Sequence, residues 1–292
     1  MTYLAFRHRW HAIARAVCGA LLCLCLASAG AEAAEEPVTL APHRAVYDLT
    51  LTAARSSTSV TSVAGRLVYD LTGSPCEGYT QNSRLLTQLT QQSGGTLLSD
   101  LRSTTWEDAA GKSFRFESTT YRDEKISESA AGDALRQGGA GEIKVDITKP
   151  EKRSLFLPAS AYFPVQHTIA MIQAARAGKA SFRADLYDGS EKGAKVYDTV
   201  AALGGLQAPG ANRKLPVVAN AERLDTVRAW PVSLAFFESR GERADALPSY
   251  EIAFWMFENG VSRKLTIDYG DFALQGTLKD LVFHEPSKCE RK

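Results

Sequence analysis

Charge of a single sign is missing from this sequence. Its 292 residues carry 34 Lys and Arg against 33 Asp and Glu. Without a basic excess or stripe there is no electrostatic footprint for nucleic acid or an anionic membrane surface. Long apolar runs are missing as well: the uncharged stretch Ala16 to Ala27 is about a dozen residues, short of the ~20 that a permanent membrane-spanning helix needs. Histidine is scarce, and His43, His167 and His284 are the three beyond the first 33 residues. None belongs to a His-Glu-x-x-His pair. A Gly-x-Ser-x-Gly elbow, a Ser-x-x-Lys pair, a Walker loop and a Gly-x-Gly-x-x-Gly fingerprint are all absent. The familiar signatures of hydrolases, metalloproteases and nucleotide-binding enzymes are therefore not here, although a triad assembled in space leaves no such trace.

What stands at the amino terminus is an export signal. Arg7, His8, Arg9, His11 and Arg15 make a positive head, the apolar run follows, and Ala31-Glu32-Ala33 places small residues for cleavage before Ala34. Residues 1–33 are expected to be removed, leaving residues 34–292. Cys18, Cys23 and Cys25 lack the small preceding residue of a lipoprotein acylation site, so the mature chain is expected to be soluble, without an integral membrane span. Removing Arg7, Arg9, Arg15 and Glu32 leaves 31 basic against 32 acidic residues. That length, about 260 residues, is enough for a sizeable core.

The leader also changes how cysteine is read. Three of the five cysteines lie inside it, and only Cys76 and Cys289 remain. In an oxidising compartment one available pair favours a disulfide. Neither cysteine sits in a Cys-x-x-Cys motif, which argues against redox chemistry, and with both paired a zinc site lacks ligands.

Period-2 alternation dominates the mature chain. Ala45, Tyr47, Leu49 and Leu51 alternate with Val46, Asp48, Thr50 and Thr52; Leu67, Tyr69 and Leu71 behave alike, as do Phe114 with Phe116 and Ile143 with Val145 and Ile147. Each pattern lays one apolar row on a sheet face and one polar row in water. Tyr250 to Phe257 is apolar on both faces, which suggests a strand buried on both sides. Asn259-Gly260 then signals a hairpin through a type I′ turn, Val261 to Asp268 alternates again, and Gly270-Asp271 leads into Phe272 to Phe283. Three antiparallel strands in a meander are expected. Between Pro164 and Arg176 the period changes: Val165, Thr168, Ile169, Ile172 and Ala175 recur at helical spacing, with Pro164 suited to the first turn and Gly178 to the C-terminal cap. This helix packs on or inside a curved sheet, or lies outside it. Loops are expected at Ala130–Gly141, Gly189–Gly193 and Gly204–Pro216. No domain linker and no internal repeat interrupts the pattern.

Candidate site residues are few. His167 lies near the helix N-terminus, where the dipole disfavours its charged form; it reads either as a ligand-contacting or general-base imidazole or as a hydrogen-bonded junction residue. Asp185-x-x-Asp188-Gly-Ser has some oxygens of a calcium loop, but too few and too widely spaced, and Asp-Gly is more simply a turn. Trp230, Phe236, Phe237, Phe254, Trp255 and Phe257 line an apolar cavity or fill a core. From these sets His167, Trp230, Phe237 and Trp255 are taken as candidate ligand-lining residues; no catalytic, metal or cofactor site is assigned.

Five segments together resemble a known family. They are Ala41-Pro-His-Arg-Ala-Val-Tyr-Asp-Leu49, Cys76-Glu-Gly-Tyr-Thr-Gln-Asn-Ser-Arg84, Phe163-Pro-Val-Gln-His-Thr-Ile169, Asp185-Leu-Tyr-Asp-Gly-Ser190 and the terminal hairpins through Leu281. They look like the EipB-type envelope-integrity proteins, periplasmic proteins of alphaproteobacteria, and the resemblance runs from about Ala41 to Cys289. It implies a mainly β fold: one highly curved antiparallel sheet, a β-spiral, coiled open and barrel-like around one helix, with Cys76 and Cys289 bonded across its ends. It implies a single domain over residues 34–292 and a role in cell-envelope integrity through binding. No activity, cofactor or catalytic residue comes with it. The expected ligand is an envelope polypeptide or a lipid-like molecule. A carrier of lipid or lipoprotein acyl chains is the alternative, and a cell-wall hydrolase using His167 a second one. Nucleic acid is not an expected partner, and the chain is expected to be a monomer or weak oligomer.

Overall fold

Fourteen strands, all joined antiparallel, make a single sheet in the computed structural model. The structure describes residues 36–56, 58–138, 141–238 and 247–289, so the leader expected at residues 1–33 lies outside the described residues. Eight strands come first: β1 (His43–Ala54), β2 (Val60–Ser74), β3 (Gly78–Gln91), β4 (Thr96–Glu107), β5 (Ser113–Arg122), β6 (Lys125–Arg136), β7 (Ile143–Lys149) and β8 (Arg153–Leu157). Helix α1 (Pro164–Arg176) follows, then β9 (Ser181–Leu186), β10 (Tyr197–Leu203), β11 (Ala229–Phe237), β12 (Tyr250–Phe257), β13 (Ser262–Asp268) and β14 (Phe272–Phe283). The spatial order is β8-β7-β6-β5-β4-β3-β2-β1-β14-β13-β12-β11-β10-β9. Two meanders are thus joined at mid-sheet by β1 and β14, which pair from His43↔Phe283 to Ala54↔Phe272.

The sheet is not closed. Its two outer strands, β8 and β9, are consecutive in sequence and separated only by α1. They meet where Tyr162, just past β8, bridges Leu186 at the end of β9: its N–H donates to Asp185 O (2.8 Å) and its carbonyl accepts from Tyr187 N (2.9 Å). Past that point one end of the sheet laps onto the inner face of the other. Tyr187 is fully buried against Phe114 and Phe116, edge-on to both rings. Phe116 is held by two glycines. A Cβ on Gly132 would lie 2.9 Å from its ring, and one on Gly189 would lie 2.3 Å away. The small residues Ala130 to Gly132 are therefore not loop as their composition suggests; they belong to β6, trimmed to admit an aromatic ring, and the connection starts only after Arg136.

Helix α1 is enclosed. Its buried residues Val165, His167, Met171, Ile172, Ala174 and Ala175 cover more of its circumference than the single expected stripe. They share one core with Leu71 and Tyr79 from the first meander and with Tyr197, Trp230 and Met256 from the second. The coiled sheet surrounds the helix, the arrangement that the family resemblance implies. At its C-terminus Gly178 (φ 68°) donates to Ala175 O and Lys179 to Ala174 O, both at 3.0 Å. This paired motif satisfies two otherwise orphaned carbonyls.

The C-terminal meander forms as its alternation implies, but the turn at Asn259-Gly260 is different. Gly260 alone has positive φ (86°), its N–H donates to Phe257 O (2.9 Å), and Phe257 N–H donates to Val261 O (2.9 Å). The loop therefore has three residues, a type I turn followed by one left-handed glycine, instead of the two-residue type I′ turn. Strand β12 is half-buried along most of its length and buried on both faces only at its end. Met256 faces α1, and Phe257 packs under Val218, Ala221 and Leu224 of the connection between β10 and β11. That connection winds through short 3-10 turns at Ala211–Lys214 and Ala221–Leu224. Buried Arg263 of β13 fastens it by donating to Asn212 Oδ1 (2.5 Å) and Pro216 O (2.6 Å).

Cys76, in the β2–β3 turn, is bonded to Cys289, beyond β14, with a Cα–Cα distance of 5.7 Å. The tail is also held by backbone bonds from His284 N to Pro42 O (2.9 Å) and Ser287 N to Gly73 O (3.2 Å).

Candidate functional site

Strand periodicity points every second side chain into the coil, so the inner face decides what the interior can hold. Beside α1 lies an apolar chamber of about 290 Å³. Leu67, Leu71, Met171, Leu234, Phe254 and Met256 supply its walls. Several polar side chains that reach it are already bonded within the protein. Tyr47 Oη donates to Ser262 O (2.7 Å), Gln81 Nε2 to Tyr69 Oη (2.9 Å), and Thr168 Oγ1 to Pro164 O (3.0 Å). With these groups satisfied, the chamber presents apolar surface in chemical terms.

Next to it runs a larger trough of about 810 Å³. The two cavities share Tyr69, Gln81, Pro164, Leu186 and Ile252 as lining. The trough floor is the inner face of β3, β4 and β5, and there the residues are small and hydroxylated. Cross-strand register places Tyr69, Ser83, Ser103 and Ser118 side by side on four successive strands. Thr105 and Thr120 flank this rung on the same face. Its walls include Phe116 and the stacked pair Phe236–Tyr250, whose ring centroids are 4.3 Å apart. A third cavity of about 400 Å³, rich in leucine, continues from Leu101, Thr120 and Arg122.

The helix that walls the chamber is positioned by a buried acid. α1 starts at Pro164 and has no side-chain cap of its own. Glu107, at the end of β4, supplies one from a distance: its carboxylate accepts from Val165 N (2.7 Å) and Gln166 N (3.0 Å). These are two of the orphan donors of a helix N-terminus, where the dipole favours negative charge. Burial nevertheless dominates and pushes the Glu107 carboxyl up to about 7.

His167 sits on α1 at the chamber wall, buried, with Nε2 2.8 Å from Thr199 Oγ1. The Thr199 hydroxyl donates to Ala184 O (2.7 Å), which assigns the proton of this pair to the imidazole Nε2. Burial lowers the His167 pKa to about 4. A histidine with a depressed folded pKa contributes stability above its unfolded value of about 6.5 and loses it as pH falls through 4. His167→Gln, whose amide can still donate to Thr199, removes that titration. The stability gap between the parent and this variant is expected to shrink by up to about 3 kcal/mol from pH 7 to pH 4. Denaturant melts of both proteins across that range check it; a constant gap would show that folding does not lower the His167 pKa.

The residues singled out in the sequence do not converge. His167 lines the chamber. Trp230 is buried in the core around α1 and lines none of the three cavities. Phe237 is on the opposite face of β11 from Phe236 and lines none either. Trp255 faces a separate small pocket of about 110 Å³ under residues 206–211, with Lys264 Nζ 4.8 Å from its ring centre. Asp188 accepts from Ser190 N (2.9 Å), closing the Asp-Gly turn. Sequence reading passed over Glu107 and the hydroxyl rung. A signal for the rung exists: in β3 to β5 the positions in phase with the core hold Ser and Thr where other strands hold Leu, Ile or Val.

Three comparisons place this geometry among known proteins. Residues 34–285 match the model of the EipB-like family. The chain is 36% identical over 281 residues to the cell envelope integrity protein EipB of Brucella abortus (strain 2308), covering 96% of this chain and 97% of that protein. It superposes with a TM-score of 0.76, at 35% identity, on the crystal structure of a beta-barrel-like protein of domain of unknown function DUF1849 from Brucella abortus, covering 85% of this chain and 100% of that one. The likeness covers nearly the whole chain, and the chain belongs to the EipB-like family.

Proposed function

We propose that this is an exported, non-catalytic protein of the periplasm that supports cell-envelope integrity by holding an envelope polypeptide or a lipid-like ligand inside its coil. The observation that carries the reading is the near full-length likeness to a protein named for cell-envelope integrity. Binding is supported by the adjoining interior cavities, whose volumes fall near the range usual for small-molecule sites. Export is supported by the leader at residues 1–33 and the disulfide, and a single mature domain by the compact unit that begins at Pro37. Among the described residues no helix is long and apolar enough to cross a membrane.

The carrier of acyl chains is favoured over the polypeptide binder by the apolar chamber. A His167-based hydrolase has less behind it, because the Nε2 proton is directed at Thr199 and the ring has a pKa of about 4. Deleting the gene is expected to sensitise the producing cell to detergents and to cell-wall antibiotics, with wild-type complementation restoring resistance. An unchanged sensitivity profile would remove the envelope role altogether.

A further inference from the structure

We infer that the interior takes an amphiphile with two distinct parts, an acyl chain in the chamber beside α1 and an uncharged polyhydroxylated headgroup, a sugar, on the hydroxyl rung of the trough. This rests on the reading that the coil binds its ligand inside. It is carried by the contrast between two cavities that share a wall.

In the chamber Tyr47, Gln81 and Thr168 are already bonded within the protein and, among the described residues, Ser262 is the one hydroxyl left beside mostly apolar walls, so a ligand there gains chiefly from burying apolar surface. The trough is the reverse. Among the described residues the hydroxyls of Ser83, Ser103, Ser118 and Thr120 have no hydrogen-bond partner, and all four residues are half-buried on its floor. Hydroxyls donate and accept at once, which matches the hydroxyls of a sugar. Strands lie ~4.8 Å apart, so the rung from Tyr69 to Ser118 extends roughly 14 Å, room for more than one sugar unit. The stacked Phe236–Tyr250 pair adds an aromatic surface of the kind on which a sugar's apolar C–H face rests.

Charge and backbone narrow the choice. Arg122 and Lys192 share the trough with Glu128, Asp188 and Glu191, so no basic concentration invites a phosphate headgroup. The backbone groups of the floor strands are spent on the sheet, which denies an extended peptide the free strand edge it uses for recognition.

The test uses n-dodecyl β-maltoside, dodecylphosphocholine and maltose below micelle-forming concentrations, titrated calorimetrically into protein purified from the periplasm. The maltoside is expected to bind at least tenfold more tightly than either other probe. Ser103→Val, with Ser103→Ala as the smaller change, should weaken maltoside binding at least fivefold and leave phosphocholine binding unchanged. Thr168→Trp, which fills the chamber, should weaken both chain-bearing probes, and unchanged melting temperatures verify folding. Equal affinities for the two detergents with a silent Ser103→Val overturn the sugar assignment and leave interior binding standing. Maltose as tight as the maltoside overturns the two-part site. Absence of binding by both detergents, together with full complementation by Thr168→Trp, overturns interior binding itself.

Discussion

Breaking the Cys76–Cys289 bond, by reductant or by serine at either position, lowers the melting temperature more than any single side-chain truncation on the surface. The two cysteines are 213 residues apart in sequence. A cross-link closing a loop of that length restricts the unfolded chain by up to roughly 5 kcal/mol in the chain-entropy account. For a chain of this size that corresponds to roughly 10–20 °C. Cys76→Ser, Cys289→Ser and the double variant are expected to melt together, because each removes the same constraint. Calorimetry with and without reductant checks it. A double variant much less stable than the singles would mean that the cysteines act separately, and free thiol in the denatured, unreduced protein would mean that the bond does not form.

Glu107→Ala has the second largest effect. Truncation strands two buried N–H donors, Val165 and Gln166, at about 1–3 kcal/mol for each group left unsatisfied. A loss of about 3 kcal/mol is expected, against about 1 kcal/mol for Glu107→Gln, which keeps an acceptor. The glutamine variant also reports on ionisation. Glu107 has a folded pKa raised from 4.5 to about 7, so the folded state binds the proton more tightly and its contribution falls as pH rises from 4.5 through 7. Glu107→Gln is thus expected to gain on the parent between pH 5 and pH 8, a slope opposite to that of His167. Urea melts at the two pH values decide it; a fixed difference would mean that folding does not raise the Glu107 pKa. Because α1 walls the chamber, the alanine variant should also loosen ligand binding, while the glutamine variant preserves it.

These two sites differ in how far a sequence can announce them. The strands in the two meanders and the limits of α1 are legible because alternation and helical spacing are local, and Pro164 and Gly178 mark the helix ends by backbone chemistry alone. Glu107 is not legible: it meets the helix across nearly 60 residues of chain, and nothing near it in sequence says that a helix lacks its cap. The segment Ala130 to Gly132 misleads because smallness serves both loops and the close passage of Phe116. The aromatic set misleads in another way. Period 2 sends Trp230 and Phe254 to one face of the sheet and Phe237 and Trp255 to the other, so a cluster along the chain separates in space. The hydroxyl rung needs register as well as period, since it consists of neighbours on four strands.

The placement of β1 and β14 at mid-sheet also sets an order of events. Each meander needs only neighbouring hairpins and can assemble from local contacts, which is fast. The seam between them joins the first strand to the last. Until β14 arrives, β1 is the unpaired border of an eight-strand ribbon, twelve residues long with Tyr47 and Leu49 on its core face, the kind of edge that invites pairing between chains. Folding therefore finishes where the polypeptide began, and a copy truncated before Phe272 is expected to aggregate rather than fold as half a coil. The cysteine bond forms at that same late moment.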